Sequence, residues 1–391
     1  MKGGNSLFKD KKLAWRLLGF IAAVIVAVYA FTNGVLQLGH KDNGYYDVGL
    51  TAEGSAVLFG SGAHLLHYAE GNSSDIRQEL NAVQKGFSDA LLRAYQLLDA
   101  EHTYPGMVNI ASLNQAPGEK MQIAPALYAV LADASARMQR GEGYNLFAGA
   151  LYHEWQTLRY LEEPQEADPR SSSDEAERLA AITEMVNQPG LITLDLSEEN
   201  AAALIISPEY AAFADELEVE GPTLDLNLLH DAYLLDMTAA VLENQGITGY
   251  LYTDSGCSIW LESGDTRYTV YGADGAAGTV KWPSPSAFCQ FTAYPLQESA
   301  YGYYRVGETL RHPFIDPVLG APREVLMTAS LAGGRQDLTS LAYELAVLCM
   351  QADQAGVESR IAALPEDVFY AYLYQGEGAE LTVKPGAEMS L

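Results

Sequence analysis

The sequence is short of cysteine, histidine and positive charge. Its 391 residues include 3 cysteines and 7 histidines, and 23 Lys and Arg residues stand against 51 Asp and Glu residues, for a net charge of −28. The three scattered cysteines, Cys257, Cys289 and Cys349, exclude a disulfide framework and a Cys-x-x-Cys metal site, although a single bridge stays open. The acidic balance opposes contact with a phosphate backbone, so nucleic acid is not an expected partner.

Common nucleotide-binding and hydrolase motifs are also absent. The chain has no Gly-x-x-x-x-Gly-Lys-Ser/Thr, Gly-x-Gly-x-x-Gly, Gly-x-Ser-x-Gly or His-Glu-x-x-His sequence. Gly272, Gly275 and Gly278 are three residues apart, but their position between two strand-like runs predicts a hairpin loop rather than a phosphate cradle. His64 and His67 fall in an alternating run typical of a strand, which places them on opposite faces and disfavours a shared metal.

Positive charge is concentrated at the N-terminus. Residues 1–16 hold five Lys and Arg against Asp10 alone, and 17–39 is an uncharged run of 23 residues. A helix of that length crosses a hydrocarbon core of about 30 Å. We therefore predict a cytoplasmic basic segment (1–16), a transmembrane anchor (17–39) in the cell membrane and an extracytoplasmic domain (40–391), following the positive-inside rule. A cleaved signal peptide is the alternative, because Val28 and Ala30 have suitable spacing.

Apolar periodicity predicts helices and strands without regular βαβ alternation. Helices are expected over 76–98, 124–139, 228–245 and 337–352, and strands over 191–196, 203–207, 249–253, 258–262 and 266–270. A strand pair is expected within 56–68, and the polar stretch 162–178 is expected to be a flexible surface insertion. This pattern favours an α+β domain over a doubly wound sheet.

Several segments, taken in order, carry a resemblance to a known family. They are Glu53 to Ser55, His102 to Asn114 (HTYPGMVNIASLN), Tyr144 to Leu151 (YNLFAGAL) followed by Trp155, Asp225 to Asp236 (DLNLLHDAYLLD), Gly256 to Ile259, Pro313 to Pro322 (PFIDPVLGAP) and Asp337. In order and spacing they resemble the motifs of the FAD:protein FMN transferases, the ApbE family. The DLNLLHDAYLLD segment aligns without a gap to Asp-Leu-Gly-Gly-Ile-Ala-Lys-Gly-Tyr-Ala-Val-Asp, and PFIDPVLGAP is similar to His-Ile-Ile-Asp-Pro-x-Thr-Gly-x-Pro.

The resemblance implies an ApbE-like mixed sheet-and-helix domain with a central cleft. Such a domain transfers FMN from FAD to a Ser or Thr of a target flavoprotein with the help of Mg²⁺. The partners it implies are a target flavoprotein or another envelope protein, besides the membrane that the N-terminal helix would enter. The site residues it implies are His312 as the catalytic residue near the phosphates, Asn114, Tyr233 and Asp316 for FAD, and Asp337 and Ser340 for Mg²⁺.

Several substitutions depart from the family pattern, and four of them bear most on the function. Asp231 stands where the family has Lys, Leu228 replaces the second Gly of the same motif, and Leu319 and Leu341 each replace a Thr. An anion in place of a cation opposes binding of a nucleotide pyrophosphate unless a metal lies between them. The sequence therefore leaves two functions open, a divergent extracytoplasmic flavin transferase and a catalytically inactive binding or interaction module at the cell surface.

Overall fold

A computed structural model describes residues 41–52, 54, 62–160, 168–272, 275–293, 304–306, 309–376 and 378–390. The predicted basic segment and anchor lie outside these residues, as does the first part, 56–61, of the predicted strand pair within 56–68. Among the residues described, no helix is long and apolar enough to cross a membrane. The chain divides into two units, one formed by 1–46 with 68–82 and the other by 47–67 with 83–391.

The first unit contains most of strand β1 (Gly44–Asp47) and the beginning of helix α1 (Ser73–Leu98). The backbone N–H of Lys41 donates to the Ser73 hydroxyl at 3.0 Å, which joins the segment before the strand to the first residue of the helix. In addition, the rings of Tyr45 and Tyr68 meet edge to face, with their centroids 5.2 Å apart.

The second unit is built on an antiparallel sheet with the strand order β2-β6-β7-β8-β11-β12-β13, in which β14 also pairs with β8. A smaller sheet has the order β3-β5-β4, and β9 pairs with β10. The strands are β2 (Ala63–Ala69), β3 (Met121–Gln122), β4 (Ile192–Asp195), β5 (Ala201–Ile206), β6 (Tyr250–Thr253), β7 (Cys257–Gly272), β8 (Gly275–Thr292), β9 (Tyr304–Val306), β10 (Thr309–Arg311), β11 (Leu326–Gly334), β12 (Phe369–Tyr374), β13 (Thr382–Val383) and β14 (Met389–Ser390).

The longest strands, β7 and β8, form the predicted hairpin, because Gly272 is paired with Gly275 at its end. Strand β7 is continuous, whereas the sequence predicts two strands over 258–262 and 266–270. The pairing of β7 with β8 is interrupted between Trp260 and Gly264, where the register shifts, and it resumes at Gly264. The irregularity lies between the two predicted strands.

Helix α7 (His230–Asn244) packs on β7, and α8 (Leu338–Cys349) packs on β8 and β11. Ten of the twelve residues of α8 are buried, which explains its apolar sequence on every side. The four predicted helices are confirmed to within a few residues. The helices after α1 are α2 (Ile110–Gln115), α3 (Pro125–Met138), α4 (Gly149–Tyr160), α5 (Ser173–Asn187), α6 (Pro208–Glu216), α7 (His230–Asn244), α8 (Leu338–Cys349) and α9 (Gln354–Ala363).

The sequence predicts a flexible insertion over 162–178. From Asp168 onward, however, this stretch forms a turn and the beginning of helix α5 (Ser173–Asn187). Asp168 is buried and its carboxylate binds the guanidinium of Arg170 at 2.8 Å. Ser172 caps helix α5 by accepting the N–H of Glu175 at 3.4 Å. A local ion pair and a helix cap thus turn polar residues into regular structure, which composition alone does not reveal.

Candidate functional site

A cavity of about 840 Å³ lies within the second unit. Its walls come from the end of α1 and the loop after it, α4, the turn before α7, the β6–β7 turn, the segment near Phe314 and α8. Apart from histidines, the charged side chains among the described lining residues are all acidic: Asp99, Glu101, Asp225, Asp231 and Asp254. No Lys or Arg is found in that described lining, and its aromatic members are Tyr95, Tyr152, Trp155 and Phe314.

Asp99 organises the loop that forms one wall. Its carboxylate accepts the backbone N–H groups of Glu101 at 2.8 Å and His102 at 3.0 Å, and the Tyr104 hydroxyl at 2.6 Å. Burial raises the pKa of Asp99, but these hydrogen bonds outweigh it and hold the pKa below its usual value. Asn109 closes the loop by donating to the carbonyl of His102 at 2.8 Å. The negative charge is therefore fixed in place.

Asp225 forms a second wall through a tight turn that leads into α7. Its carboxylate accepts the N–H of Asn227 at 2.9 Å, and its own N–H donates to the carbonyl of Leu146 at 3.0 Å. Asn227 adopts a positive φ of 53°, which asparagine tolerates better than most residues. Burial raises the pKa of Asp225, so this carboxyl is less readily ionised than Asp99.

His230 and Asp231 are an ion pair at the start of α7. The Nδ1 atom of His230 lies 3.0 Å from Asp231 Oδ1, and the other carboxylate oxygen accepts the hydroxyl of Ser255. Burial lowers the pKa of His230, yet the adjacent carboxylate outweighs burial and raises it above the ordinary value. For Asp231 burial raises the pKa, and the imidazole and hydroxyl bring it below the ordinary value. The charge of the imidazolium is thus balanced by its neighbour.

The β6–β7 turn approaches strand β8 closely at Gly256. This glycine has φ +102°, and a Cβ atom there would lie 2.6 Å from the carbonyl oxygen of Gln290. Immediately after it, Cys257 faces Cys289 on the neighbouring strand, and both cysteines line the cavity as free thiols. The glycine therefore permits the backbone approach that brings the β6–β7 turn to the cavity.

Two side chains of α4 hold the segment on the opposite wall. Trp155 Nε1 donates to the carbonyl of His312 at 2.9 Å, and the hydroxyl of Tyr152 donates to the carbonyl of Ile315 at 3.1 Å. Phe314 meets the ring of Phe291 edge to face at 4.4 Å. Aromatic rings therefore fix this wall and also contribute to the surface that a ligand would touch.

The three residues predicted to contact FAD bind other parts of the protein. Asn114 donates to the carbonyls of Ala100 and Leu224 and accepts the N–H of Leu224, so it joins two loops. The hydroxyl of Tyr233 donates to Asp133 at 2.6 Å. Asp316 is buried, binds the guanidinium of Arg323 at 2.7 Å and accepts backbone N–H groups of its own turn. None of the three is among the lining residues.

The remaining predicted residues also lie outside the lining. His312 is buried, with its ring 5.6 Å from that of Phe291. Asp337 ends a short turn immediately before α8, and the Ser340 hydroxyl accepts a hydrogen bond from the Arg137 guanidinium at 3.4 Å. The structure thus places a cation beside the predicted Mg²⁺ ligand Ser340. The roles assigned to all six residues stay predictions.

The fold is similar to those of solved flavin transferases. The ApbE protein of Thermotoga maritima matches with a TM-score of 0.60 and 13% identity, over 88% of this chain and 97% of that one. The flavin transferase ApbE of Vibrio cholerae matches with a TM-score of 0.53 and 11% identity, over 88% of this chain and 98% of that one. The flavinyl transferase ApbE of Pseudomonas stutzeri, in its apo form, matches with a TM-score of 0.56 and 11% identity, over 88% of this chain and 96% of that one. This chain has an ApbE-like fold. No family profile matches the sequence, and no curated protein matches it.

Within the ApbE-like fold, several residues that depart from the family motifs line the cavity. The lining includes Leu228, Asp231 and Pro313, the last of which stands where the family motif begins with His. Asp99 and Glu101 also line the cavity, and the sequence did not predict them as site residues. Their position along the chain could have indicated them. They follow the C-terminal end of α1, whose last turn has no basic residue, and acidic groups at that end oppose the helix dipole.

The lining residues do not fit FAD and Mg²⁺. A pyrophosphate needs cationic groups or a metal, whereas the described lining offers neither Lys nor Arg and places Asp99 and Asp231 as fixed anions. Among the described residues, no group of three or more His, Cys, Asp or Glu is arranged to hold a metal ion. The imidazole of His230 is a cation only when protonated, and it is already paired with Asp231.

Proposed function

We propose that this chain is a ligand-binding protein built on the ApbE-like fold, and that its cavity takes an uncharged or cationic molecule rather than a dinucleotide. The observation that supports this most directly is the described lining, in which every charged side chain other than histidine is acidic. Asp99 and Asp231 have lowered pKa values and stay ionised at neutral pH. A phosphate-bearing ligand would meet these charges without a Lys or Arg in the described lining to compensate them.

The aromatic side chains supply the second half of the recognition. Tyr95, Tyr152, Trp155 and Phe314 contribute apolar surface to the same cavity. Aromatic faces attract cations, and a combination of aromatic rings and carboxylates is how quaternary ammonium groups are commonly bound. The proposed ligand therefore carries a positive group, an apolar or aromatic part, or both.

The proposal includes the location inferred from the sequence. The uncharged run 17–39 anchors the protein in the cell membrane, and the ligand-binding domain is exposed on the extracytoplasmic side. Protease added to intact spheroplasts should then degrade the domain while leaving cytoplasmic markers untouched. Protection of the domain until the membrane is lysed would contradict this orientation.

Calorimetric titration of the full-length protein in detergent tests the ligand class. FAD should show no saturable binding with or without Mg²⁺, whereas an aromatic quaternary ammonium should bind. The matched variant is Asp231→Lys, which restores the cation of the family motif and should make FAD binding easier to detect. Tight, Mg²⁺-dependent FAD binding to the unmodified protein would refute the proposal.

The second candidate is an anchored flavin transferase, and the ApbE-like fold is the observation that favours it. In that case FMN would pass from FAD to a Ser or Thr of a target flavoprotein. Incubation with FAD, Mg²⁺ and a flavin-acceptor domain, followed by detection of protein-bound fluorescence, distinguishes the two candidates. Labelling of the acceptor would establish the transferase, and absence of labelling with any divalent cation would exclude it.

A further inference from the structure

Cys257 and Cys289 are directly opposite each other on neighbouring antiparallel strands. One position earlier, the N–H of Gln290 donates to the carbonyl of Gly256 at 3.1 Å. Hydrogen-bonded and non-hydrogen-bonded pairs alternate along an antiparallel ladder, so the two cysteines occupy a non-hydrogen-bonded pair. Such pairs have Cα atoms about 4.5 Å apart with side chains on the same face, within the roughly 4.4–6.8 Å that disulfides span.

The cavity gives this pair an access route. Both cysteines belong to the lining, and Cys257 is 8% exposed whereas Cys289 is fully buried. A small molecule inside the cavity would therefore reach the sulfur of Cys257 first. Cys289 lines the same cavity but has no exposed surface, so it is the less accessible of the two.

We propose that Cys257 and Cys289 form a reversible disulfide across β7 and β8 by exchange with a small-molecule disulfide that enters the cavity. The thiolate of Cys257 attacks one sulfur of the oxidant, breaks its S–S bond and releases one thiol. Cys289 then loses its proton and attacks the Cys257 sulfur, which forms the protein disulfide and releases the second thiol. Two electrons and two protons pass from the protein to the oxidant. The inference does not depend on the proposed ligand class.

The surroundings of the pair set the rate of this exchange. Burial raises the pKa of the Cys257 thiol, and the neighbouring Cys289 and the carboxylates of Asp231 and Asp236 on α7 raise it further, while Ser255 offsets a part. The attacking species is the thiolate, so exchange should be slow at neutral pH and should accelerate as the pH rises. Cys349 on α8 is the alternative partner of Cys289, because its nearby thiol raises the pKa of Cys289.

The test uses the full-length protein, the uncharged oxidant bis(2-hydroxyethyl) disulfide at about pH 8.5, near the ordinary thiol pKa, and mass spectrometry without reductant. The intact mass should fall by two hydrogen atoms, peptide mapping should link Cys257 to Cys289, and dithiothreitol should reverse both changes. Cys257→Ser and Cys289→Ser should each abolish the loss, whereas the matched control Cys349→Ser should retain it.

Peptide mapping of the unmodified protein tests the Cys257–Cys289 disulfide even if a cysteine variant fails to fold. A bridge from either cysteine to Cys349 would overturn the proposal. So would recovery of both peptides unlinked after prolonged oxidation, or a mixed disulfide between Cys257 and the oxidant that Cys289 never displaces.

Discussion

The charge of Asp231 should decide which ligands the cavity accepts, and Asp231→Asn removes that charge with almost no change in shape. A sphere of 840 Å³ has a radius of about 6 Å, so a ligand charge near the centre lies about that far from the wall. At 6 Å, two unit charges interact by about 0.7 kcal/mol in water and about 2.8 kcal/mol at an effective dielectric constant of 20. Loss of Asp231 should therefore weaken the binding of a monocation by about threefold to 100-fold.

Three probes that share a phenyl ring isolate this charge effect: benzyltrimethylammonium, benzyl alcohol and phenylacetate. Calorimetry on the full-length protein should show that Asp231→Asn weakens the cation, leaves the alcohol unchanged and strengthens the carboxylate. The titration belongs at about pH 9, well above the ordinary His pKa of about 6.5. Nearer neutrality the variant lowers the pKa of His230, and the proton released from the imidazole cancels part of the lost negative charge.

Asp367→Asn is the matched control, because Asp367 is exposed and does not line the cavity. It makes the same change in net charge and should leave all three affinities within twofold of the unmodified protein, since the charge of an exposed side chain outside the cavity is screened by water and salt. The reasoning is refuted if Asp231→Asn changes the three affinities equally, or if phenylacetate binds the unmodified protein more tightly than the cation does.

Three further predictions concern stability. Asn114→Ala removes three hydrogen bonds between loops and should lower the free energy of unfolding in urea by about 2 kcal/mol; an unchanged midpoint would contradict that role. Arg335→Met leaves two carboxylates without their guanidinium and should cost about 3 kcal/mol, or about 4 °C in Tm for a chain of this size, measured by calorimetry. The pKa of His230 is higher in the native protein than the value of about 6.5 expected in the unfolded chain, so its protonation stabilises the fold. This stabilisation is complete below the unfolded pKa and is lost as the pH rises through the native pKa. A profile of Tm against pH for His230→Gln should therefore lack this decline.

Local patterns predicted much of the fold. The apolar stripe of α1 includes Phe87 and Leu91, and both are buried as the spacing of apolar residues requires. The order of the strands could not be predicted in the same way. Strand β2 pairs with β6 and β8 pairs with β11, although long stretches of chain separate the partners. Such pairings depend on contacts between distant segments, which the period of a single segment does not encode.

The candidate site was harder to predict than the fold, because matching a motif does not reveal what a side chain contacts. Asn114 and Asp316 match the family motifs, yet they hold loops together through hydrogen bonds within the protein. Asp231 was noted only because it stands where the family motif has Lys, and it lines the cavity. The acidic residues after α1 match no motif at all. Their position after a helix C-terminus is electrostatically unfavourable, and such a cost at a cavity wall is the local signal of a site.

The acidity of the cavity is not simply a consequence of the acidic composition. A carboxylate on the surface is solvated by water, whereas a buried one stays ionised only if donors stabilise it. Asp99 has three such donors and Asp231 has an imidazole and a hydroxyl, and the pKa of each is lowered despite burial. The two charges therefore have separate supports. Asp231→Lys should accordingly raise FAD affinity less than the combination with Asp99→Asn, and titrations that show equal affinity for the two variants would mean that Asp99 does not face the bound phosphates.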